Sequence, residues 1–307
     1  MKKLIVFLLC ALLLCGCGKT ETAPESTAPA TEPAPEIKLE PLCDGKTLKV
    51  LAIGNSFSNN TMENLYDIAV AEGITDVTLG RLYIGSCSLQ MHGANALADA
   101  PAYTYYKTTN GLWDTSKNVT LLQALQEESW DIITMQQNSG NSGQPATYDG
   151  HLERLIDYVN QNKTNPDAKF VWHMTWAYQA DSTHKAFSNY GCSQELMYKA
   201  IVDATQQKIL TNDAFCAVIP AGTAVQNART SLLGDTLTAD GFHLNNMGKL
   251  IASYTWYAVL VGKPLEKISL VQFPNVALTE QTKAIVIESV NNALRTPYAV
   301  TESTHTA

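Results

Sequence analysis

Short apolar runs alternate with segments of helical spacing along most of the chain. The pattern predicts strands over 49–54, 77–84, 130–135, 169–174 and 215–219, and helices over 62–71, 121–127, 151–162, 194–210, 245–261 and 280–294. Continuous apolar strands between amphipathic helices are typical of a parallel sheet covered on both faces. We therefore expect one α/β domain over residues 47–298, followed by a polar tail over 299–307.

The stretch 101–119 fits this alternation least well, because it is rich in Tyr and Thr and lacks a long apolar run. Two interpretations are open for it. It forms either a hairpin or an irregular insertion over one face of the sheet.

The first residues have the layout of an export signal. Lys2 and Lys3 precede an apolar run over 4–14, and small residues and cysteines follow. This run is far shorter than the roughly 20 apolar residues that span a bilayer. A basic end, a short apolar core and small residues are typical of a signal peptide, which we assign to residues 1–16.

The segment Leu14-Cys15-Gly16-Cys17 resembles the bacterial lipobox. The resemblance implies that Cys17 is lipidated and that the protein is extracytoplasmic, held on the cell membrane by this lipid. The alternative is an ordinary cleaved signal with incidental cysteines. Residues 17–46 then form a disordered Pro-, Thr- and Glu-rich tether, because 19–38 contain no aromatic residue and cannot offset the entropy of ordering.

The composition is that of a globular protein with an acidic surface. The chain has 307 residues, of which 45% are hydrophobic and 16% are charged, and its formal net charge is -8. Nucleic-acid binding needs a basic patch, so we expect no nucleic-acid partner. Cys43, Cys87, Cys192 and Cys216 lack the spacing of a zinc site, and the pattern leaves disulfides and free thiols both open.

Ser56 follows the first predicted strand, in the segment Gly54-Asn55-Ser56-Phe57-Ser58. Ligands of open parallel sheets bind at the carboxyl ends of the strands, where this hydroxyl would lie. Amide groups at the start of the next helix can stabilise developing negative charge, so Ser56 is a candidate nucleophile. The alternative role for this segment is helix capping, for which Ser and Asn are favoured.

Asp240 and His243 form an Asp-x-x-His pair just before the last-but-one predicted helix. A Ser hydroxyl needs a base to become nucleophilic, and imidazole suits this role because it titrates near neutral pH. A carboxylate that accepts the other ring N–H fixes the tautomer of the base. We therefore predict His243 as base and Asp240 as its orienting acid; the alternative is a turn followed by an exposed helix start.

A Ser after the first strand, combined with this Asp-x-x-His, resembles the SGNH (GDSL-like) hydrolases over about residues 48–262. The segment 53–58 is most similar to the first block of the DUF4886 branch, and 83–88 resembles the second block, whose Gly is an oxyanion donor. The resemblance implies a flavodoxin-like three-layer α/β/α sandwich with a central five-stranded parallel sheet. It also implies that Ser56, His243 and Asp240 are catalytic and that Gly85 contributes to the oxyanion hole.

Two positions depart from the usual pattern of that superfamily. Asn55 stands where the first block usually has Asp. The usual Gly-x-Asn-Asp block, whose Asn is the third oxyanion donor, is replaced by a segment that contains Gln136 and Asn138. Either side-chain amide could donate, and the sequence does not choose between them. Loss of one such donor typically lowers the rate by about 10²–10³.

Trp176 and Tyr178 follow the fourth predicted strand and are candidate substrate contacts, because aromatic faces stack on sugar rings. Their alternative role is core packing, which is the commoner one for aromatic residues. His92, His151 and His184 are interpreted as surface or packing residues, since none has a second ligand at metal-binding spacing. We expect no metal and no organic cofactor.

The sequence thus predicts an extracytoplasmic serine esterase that removes acetyl or other small acyl groups from carbohydrate or cell-wall polymers. The substrate class rests on analogy with related families, since a fold does not determine a function. One alternative is a catalytically inactive surface lipoprotein that binds glycan in the same crevice. A transport-linked solute receptor is a second alternative, but it usually has two lobes, and the sequence contains no repeated α/β half.

Overall fold

The computed structural model describes residues 37–265 and 268–306. Its strands are β1 (Thr47–Gly54), β2 (Asp76–Tyr83), β3 (Tyr103–Thr108), β4 (Asp114–Val119), β5 (Ile132–Met135), β6 (Lys169–His173) and β7 (Phe215–Ile219). They form one sheet in the order β4-β3-β2-β1-β5-β6-β7. Strands β2, β1, β5, β6 and β7 are parallel, whereas β3 and β4 run antiparallel to their neighbours.

The helices are α1 (Ser56–Met62), α2 (Leu65–Ala71), α3 (Leu89–Leu97), α4 (Leu121–Glu127), α5 (His151–Asn162), α6 (Gln194–Lys208), α7 (Ala221–Arg229), α8 (Asn246–Val261) and α9 (Glu280–Arg295). Helices α1, α2, α7, α8 and α9 pack together in one layer, and α3, α4 and α5 pack together in the other. The central helix α8 is buried on nearly all sides, which explains why it is apolar around its whole circumference.

The predicted flavodoxin-like α/β/α sandwich is confirmed, and its five parallel strands lie where the apolar runs predicted them. The strand count is wrong, since the sheet has seven strands rather than five. The segment 101–119 forms the hairpin β3–β4, which extends the sheet beyond β2. Strand β4 is exposed along almost its whole length, so it carries polar residues and gives no apolar signal.

Both ends of the described chain pack on the domain. The N–H of Leu42, which lies in the segment predicted as a tether, donates to the carbonyl of Leu260 at 3.0 Å. At the other end, the N–H of Ser303 donates to Thr230 Oγ1 and the N–H of Leu232 donates to the carbonyl of His305, both at 2.8 Å, so the segment predicted as a polar tail contacts the domain. The predicted signal peptide and Cys17 lie outside the described residues.

Cys43, Cys87, Cys192 and Cys216 are free thiols, which answers the question that the sequence left open. Within residues 37–265 and 268–306, no helix combines the length and the apolar character that a bilayer span requires.

Candidate active site

The turn after β1 presents Ser56 as the first residue of α1. Asn55 is the N-cap of this helix, because its Oδ1 accepts a hydrogen bond from the N–H of Phe57 at 3.0 Å. The capping role therefore belongs to Asn55, and the Ser56 hydroxyl is left for another partner. Ser56 stands at the carboxyl end of the central strand, where the crevice of such a sheet lies.

That partner is His243, whose Nε2 lies 2.8 Å from Ser56 Oγ. His243 Nδ1 lies 2.7 Å from Asp240 Oδ2. A carboxylate only accepts hydrogen bonds, so Nδ1 carries the proton in the neutral ring, and Nε2 is left to accept from the Ser56 hydroxyl. The structure thus joins the three predicted catalytic residues in one hydrogen-bonded line.

The loop around Asp240 is shaped by the carboxylate itself. Asp240 Oδ1 accepts from the N–H groups of His243 and Phe242, at 2.8 and 3.2 Å. Gly241 has a φ of +89°, a left-handed conformation that glycine adopts without strain. Partial burial opposes ionisation of Asp240, but the hydrogen bonds from the His243 ring and from the two amides hold its pKa below the usual value of 3.8. Asp240 is therefore ionised at neutral pH.

A crevice of about 210 Å³ opens beside this line of residues. Its walls are formed by Asn55, Ser56, Phe57, Tyr83, Gly85, Ser86, Ser139, His184, Phe242 and His243. Two larger grooves, of about 540 and 420 Å³, lie along the β3–β4 hairpin and beside Leu42, away from the Ser56–His243 contact. The hydrogen-bonded Ser56 and His243, and not the largest volume, therefore mark the candidate site.

Gly85 lies on the crevice wall, as the predicted oxyanion donor must. The next residue, Ser86, has a φ of 56°, in the left-handed region that non-glycine residues seldom adopt. Such a conformation typically costs about 1–2 kcal/mol. Strained backbone conformations of this kind are found most often at functional sites, where the surrounding structure enforces them.

Of the two candidates for the third oxyanion donor, Gln136 is buried and does not line the crevice. Its Nε2 donates to Asn55 Oδ1 at 2.9 Å, so the prediction of Gln136 as a direct donor is wrong. Asn138 lies behind the Gly85 loop, where its Nδ2 donates to the carbonyl of Ser86 at 3.2 Å. Asn138 does not line the crevice either, but it is half-buried rather than buried and bonds the loop that carries Gly85, so it is the better candidate of the two.

The prediction that Trp176 and Tyr178 stack on substrate is wrong, because both side chains are 0% exposed. Trp176 stacks on Phe57 with ring centroids 4.2 Å apart, and its Nε1 donates to the carbonyl of Phe242 at 2.8 Å. Tyr178 Oη lies 2.8 Å from Ser139 Oγ. The two rings point into the core after β6 and support the crevice walls from behind.

His184 lines the crevice, so its interpretation as a surface or packing residue was incomplete. Its ring packs against Phe242 and Tyr178, with centroids 4.7 and 4.8 Å apart. Its Nδ1 accepts from the N–H of Ala186 at 3.2 Å, which places the proton of the neutral ring on Nε2. Burial, then Lys185 and His243, lower the pKa of His184 below its ordinary value. No spacing in the sequence marks this residue, nor the wall residues Tyr83 and Phe242.

Comparisons with known proteins agree on the family. The model of DUF4886, a domain of unknown function, matches residues 49–284. A crystal structure of a DUF4886 family protein from Bacteroides uniformis is 36% identical, with a TM-score of 0.79, and the match covers 84% of this chain and 99% of that one.

Two further solved structures are more distant in sequence. A putative SGNH hydrolase from Slackia heliotrinireducens is 19% identical over 70% of this chain and 100% of its own, with a TM-score of 0.48. The structure of TesA is 15% identical over 69% of this chain and 97% of its own, with a TM-score of 0.43. None of the curated proteins matches the chain significantly.

Proposed function

The chain belongs to the DUF4886 family, and we propose that it is a serine esterase with Ser56 as its nucleophile. One observation carries the proposal, namely the line of 2.7 and 2.8 Å contacts from Asp240 through His243 to Ser56. This line has the distances and the tautomer that proton transfer from a Ser hydroxyl requires. A residue that only binds a ligand has no need of a base at this position.

In the proposed reaction, Ser56 Oγ attacks an ester carbonyl while His243 Nε2 takes the hydroxyl proton. The Ser56 and Gly85 N–H groups stabilise the oxyanion of the tetrahedral intermediate, and Asn138 is the candidate third donor. His243 then passes the proton to the leaving alcohol, and an acyl-enzyme forms. Water, deprotonated by His243, attacks the acyl carbon, and the proton returns to Ser56 as the carboxylic acid leaves.

The size and polarity of the crevice support a small acyl group on a polar alcohol. Its volume of about 210 Å³ is below the range of about 300–1,000 Å³ that is usual for drug-sized ligands. Hydroxyl and imidazole groups of Tyr83, Ser86, Ser139 and His184 line it, and these can bind hydroxyls. We therefore propose an acetyl or similarly small ester on a carbohydrate or cell-wall polymer.

We further propose that the enzyme is exported and anchored to the cell membrane by lipid on Cys17, on the strength of the lipobox resemblance. Growth of expressing cells with an alkynyl fatty acid tests this, because a lipidated chain will carry the label. Replacement of Cys17 by Ala should abolish the label and release the protein from the membrane fraction. Equal labelling of wild type and Cys17→Ala would contradict the lipid anchor on Cys17, but it would not affect the esterase proposal.

The esterase proposal is tested on the mature chain with Cys17→Ser, using a fluorophosphonate probe and p-nitrophenyl acetate. Loss of a triad nucleophile or base can lower kcat by on the order of 10⁶, so Ser56→Ala and His243→Ala should each abolish labelling and turnover. Ser116→Ala and His305→Ala change the same residue types away from the crevice and should leave both unchanged. A wild type without labelling or turnover would favour the glycan-binding alternative.

A further inference from the structure

A chain of three buried polar side chains runs beneath the nucleophile turn. It starts at His173 at the end of β6, passes through Gln136 after β5, and ends at Asn55 after β1. His173 Nδ1 lies 2.9 Å from Gln136 Oε1, and Gln136 Nε2 lies 2.9 Å from Asn55 Oδ1. The three residues are between 1% and 2% exposed, so water does not compete for these bonds.

Two backbone groups determine the direction of this chain. The N–H of Phe57, which can only donate, points at Asn55 Oδ1, and the carbonyl of Cys87, which can only accept, lies 3.2 Å from Asn55 Nδ2. The Asn55 amide therefore has one orientation. Gln136 must then present its Nε2 to Asn55 and its Oε1 to His173, so the proton of the His173 ring is on Nδ1.

His173 is suited to this end position because it stays neutral. Burial lowers its pKa to about 3. Its ring is held edge-on against Trp256, with centroids 5.0 Å apart. The residue thus offers one fixed N–H donor to Gln136 at any pH at which the protein works.

The two ends of the Asn55 amide reach the two halves of the site. Its Oδ1 caps the helix that begins with Ser56, and its Nδ2 holds Cys87, which follows Gly85 by two residues. We propose that His173 and Gln136 are positioning residues, which orient Asn55 and thereby hold the nucleophile turn and the oxyanion loop in register. This inference rests on the proposed esterase function.

The same chain accounts for Asn in place of the usual Asp at position 55. An ionised carboxylate has no N–H, so it could not donate to the carbonyl of Cys87. It would also be a buried charge beside the neutral side chain of Gln136, with no cation in contact to balance it among the hydrogen bonds described. An amide supplies the donor and the acceptor together.

The test compares two replacements of His173 in the mature chain with Cys17→Ser. His173→Asn keeps an N–H donor near the position of Nδ1, whereas His173→Phe fills the space without a donor. We expect His173→Phe to lower kcat for p-nitrophenyl acetate by about 10–100-fold with KM within about twofold, because displaced groups stabilise the transition state poorly. His173→Asn should recover most of the loss.

A second readout does not depend on turnover. Hydrogen–deuterium exchange of the peptide that covers 84–88 should be faster in His173→Phe and Asn55→Asp, and near wild type in His173→Asn. His92→Phe is the matched control, because His92 is also fully buried but bonds Tyr103 in the hairpin, at 2.9 Å. His92→Phe should lower Tm but leave kcat and the exchange rate of the 84–88 peptide near wild type.

Equal losses in His173→Asn and His173→Phe would overturn the proposal, since they would mean that ring packing alone matters. Unchanged exchange and kcat in folded His173→Phe would overturn it as well. If His173→Phe does not fold, Asn55→Asp is tested in its place. Lower kcat and faster exchange of 84–88 in Asn55→Asp would support the proposal, and unchanged values would overturn it. If the wild type has no esterase activity, the exchange data still decide whether His173 controls the 84–88 loop.

Discussion

Asn60 Oδ1 accepts a hydrogen bond from the backbone N–H of Leu244 at 3.0 Å, which ties α1 to the loop that carries the base. The two residues are 184 positions apart in the chain. Since Ser56 begins α1 and His243 precedes Leu244, this bond holds the proposed nucleophile and the proposed base within reach of each other.

Replacement of Asn60 by Ala should therefore lower kcat strongly while it changes the free energy of unfolding little. We expect kcat to fall about tenfold or more, because a displacement of about 1 Å between reacting groups can lower the rate by about 10²-fold. Asn60→Asp keeps an acceptor oxygen and should retain most of the activity. Steady-state kinetics together with thermal unfolding separate the two effects, and equal activity of Asn60→Ala and wild type would show that the loop holds its position without this bond.

Asp240→Asn should remove most of the activity while leaving the fold intact. An Asn side chain can offer its N–H to His243 Nδ1, which favours the tautomer that cannot accept the Ser56 proton. A change of this type in a Ser-His-Asp site costs about 10⁴ in kcat. Burst kinetics with p-nitrophenyl acetate measure it, and a loss below about tenfold would mean that Asp240 does not orient the base.

Acid should weaken the attachment of the C-terminal segment through Glu288. Its carboxylate accepts from the hydroxyl of Ser303 and from the N–H of Thr304, the latter at 3.0 Å. Partial burial opposes ionisation, but these hydrogen bonds hold the pKa of Glu288 below its usual 4.5. A lowered pKa in the folded state stabilises the fold above the unfolded pKa, and this contribution is lost as pH falls through the folded value.

Urea unfolding between pH 7 and pH 3.5 checks that prediction. Wild type should lose more stability across this window than Glu288→Gln, which cannot ionise. Glu280→Gln is a control, because Glu280 is an exposed residue at the start of the same helix and bonds only Lys283 among the residues described. Parallel pH dependence of wild type and Glu288→Gln would contradict the role of this carboxylate.

Trp176→Phe should destabilise the fold without weakening the affinity for sugars. The change removes the Nε1 hydrogen bond to the part-buried carbonyl of Phe242, and loss of such a bond typically costs about 0.5–1.5 kcal/mol. Chemical denaturation of wild type and Trp176→Phe gives the stability. Calorimetric titration with acetylated oligosaccharides gives the affinity, measured for Ser56→Ala with and without Trp176→Phe. Lower affinity at unchanged stability would restore the stacking role that the burial of this ring opposes.

The apolar runs predict β1, β2, β5 and β6 well because these strands are almost wholly buried and carry a continuous signal. Strand β7 keeps an apolar run although it is only partly buried at the edge of the sheet. The sequence pattern does not predict helix α7, since almost every one of its residues is buried and no polar stripe marks its period. The hairpin remained ambiguous for the opposite reason, as β4 faces solvent and shows no apolar pattern.

At the site, the resemblance of short motifs led to Ser56, Gly85, Asp240 and His243, and three-dimensional placement decided the rest. Whether Gln136 or Asn138 lies nearer the crevice depends on which way each side chain leaves the turn after β5, and spacing alone does not determine this. The burial of Trp176 depends likewise on its stacking against Phe57, a residue 119 positions earlier by the numbering of the chain.

The length of β1 separates the crevice from the first residues of the domain. The strand runs from Thr47 to Gly54, so at about 3.3 Å per residue its far end and Ser56 lie roughly 25 Å from its first residue. Helix α8 spans a similar length, from the His243 loop to Leu260, where Leu42 is bound. A bead or a surface coupled at Leu42 would therefore be attached at the end opposite the crevice, which leaves the Ser56 side free for a large substrate.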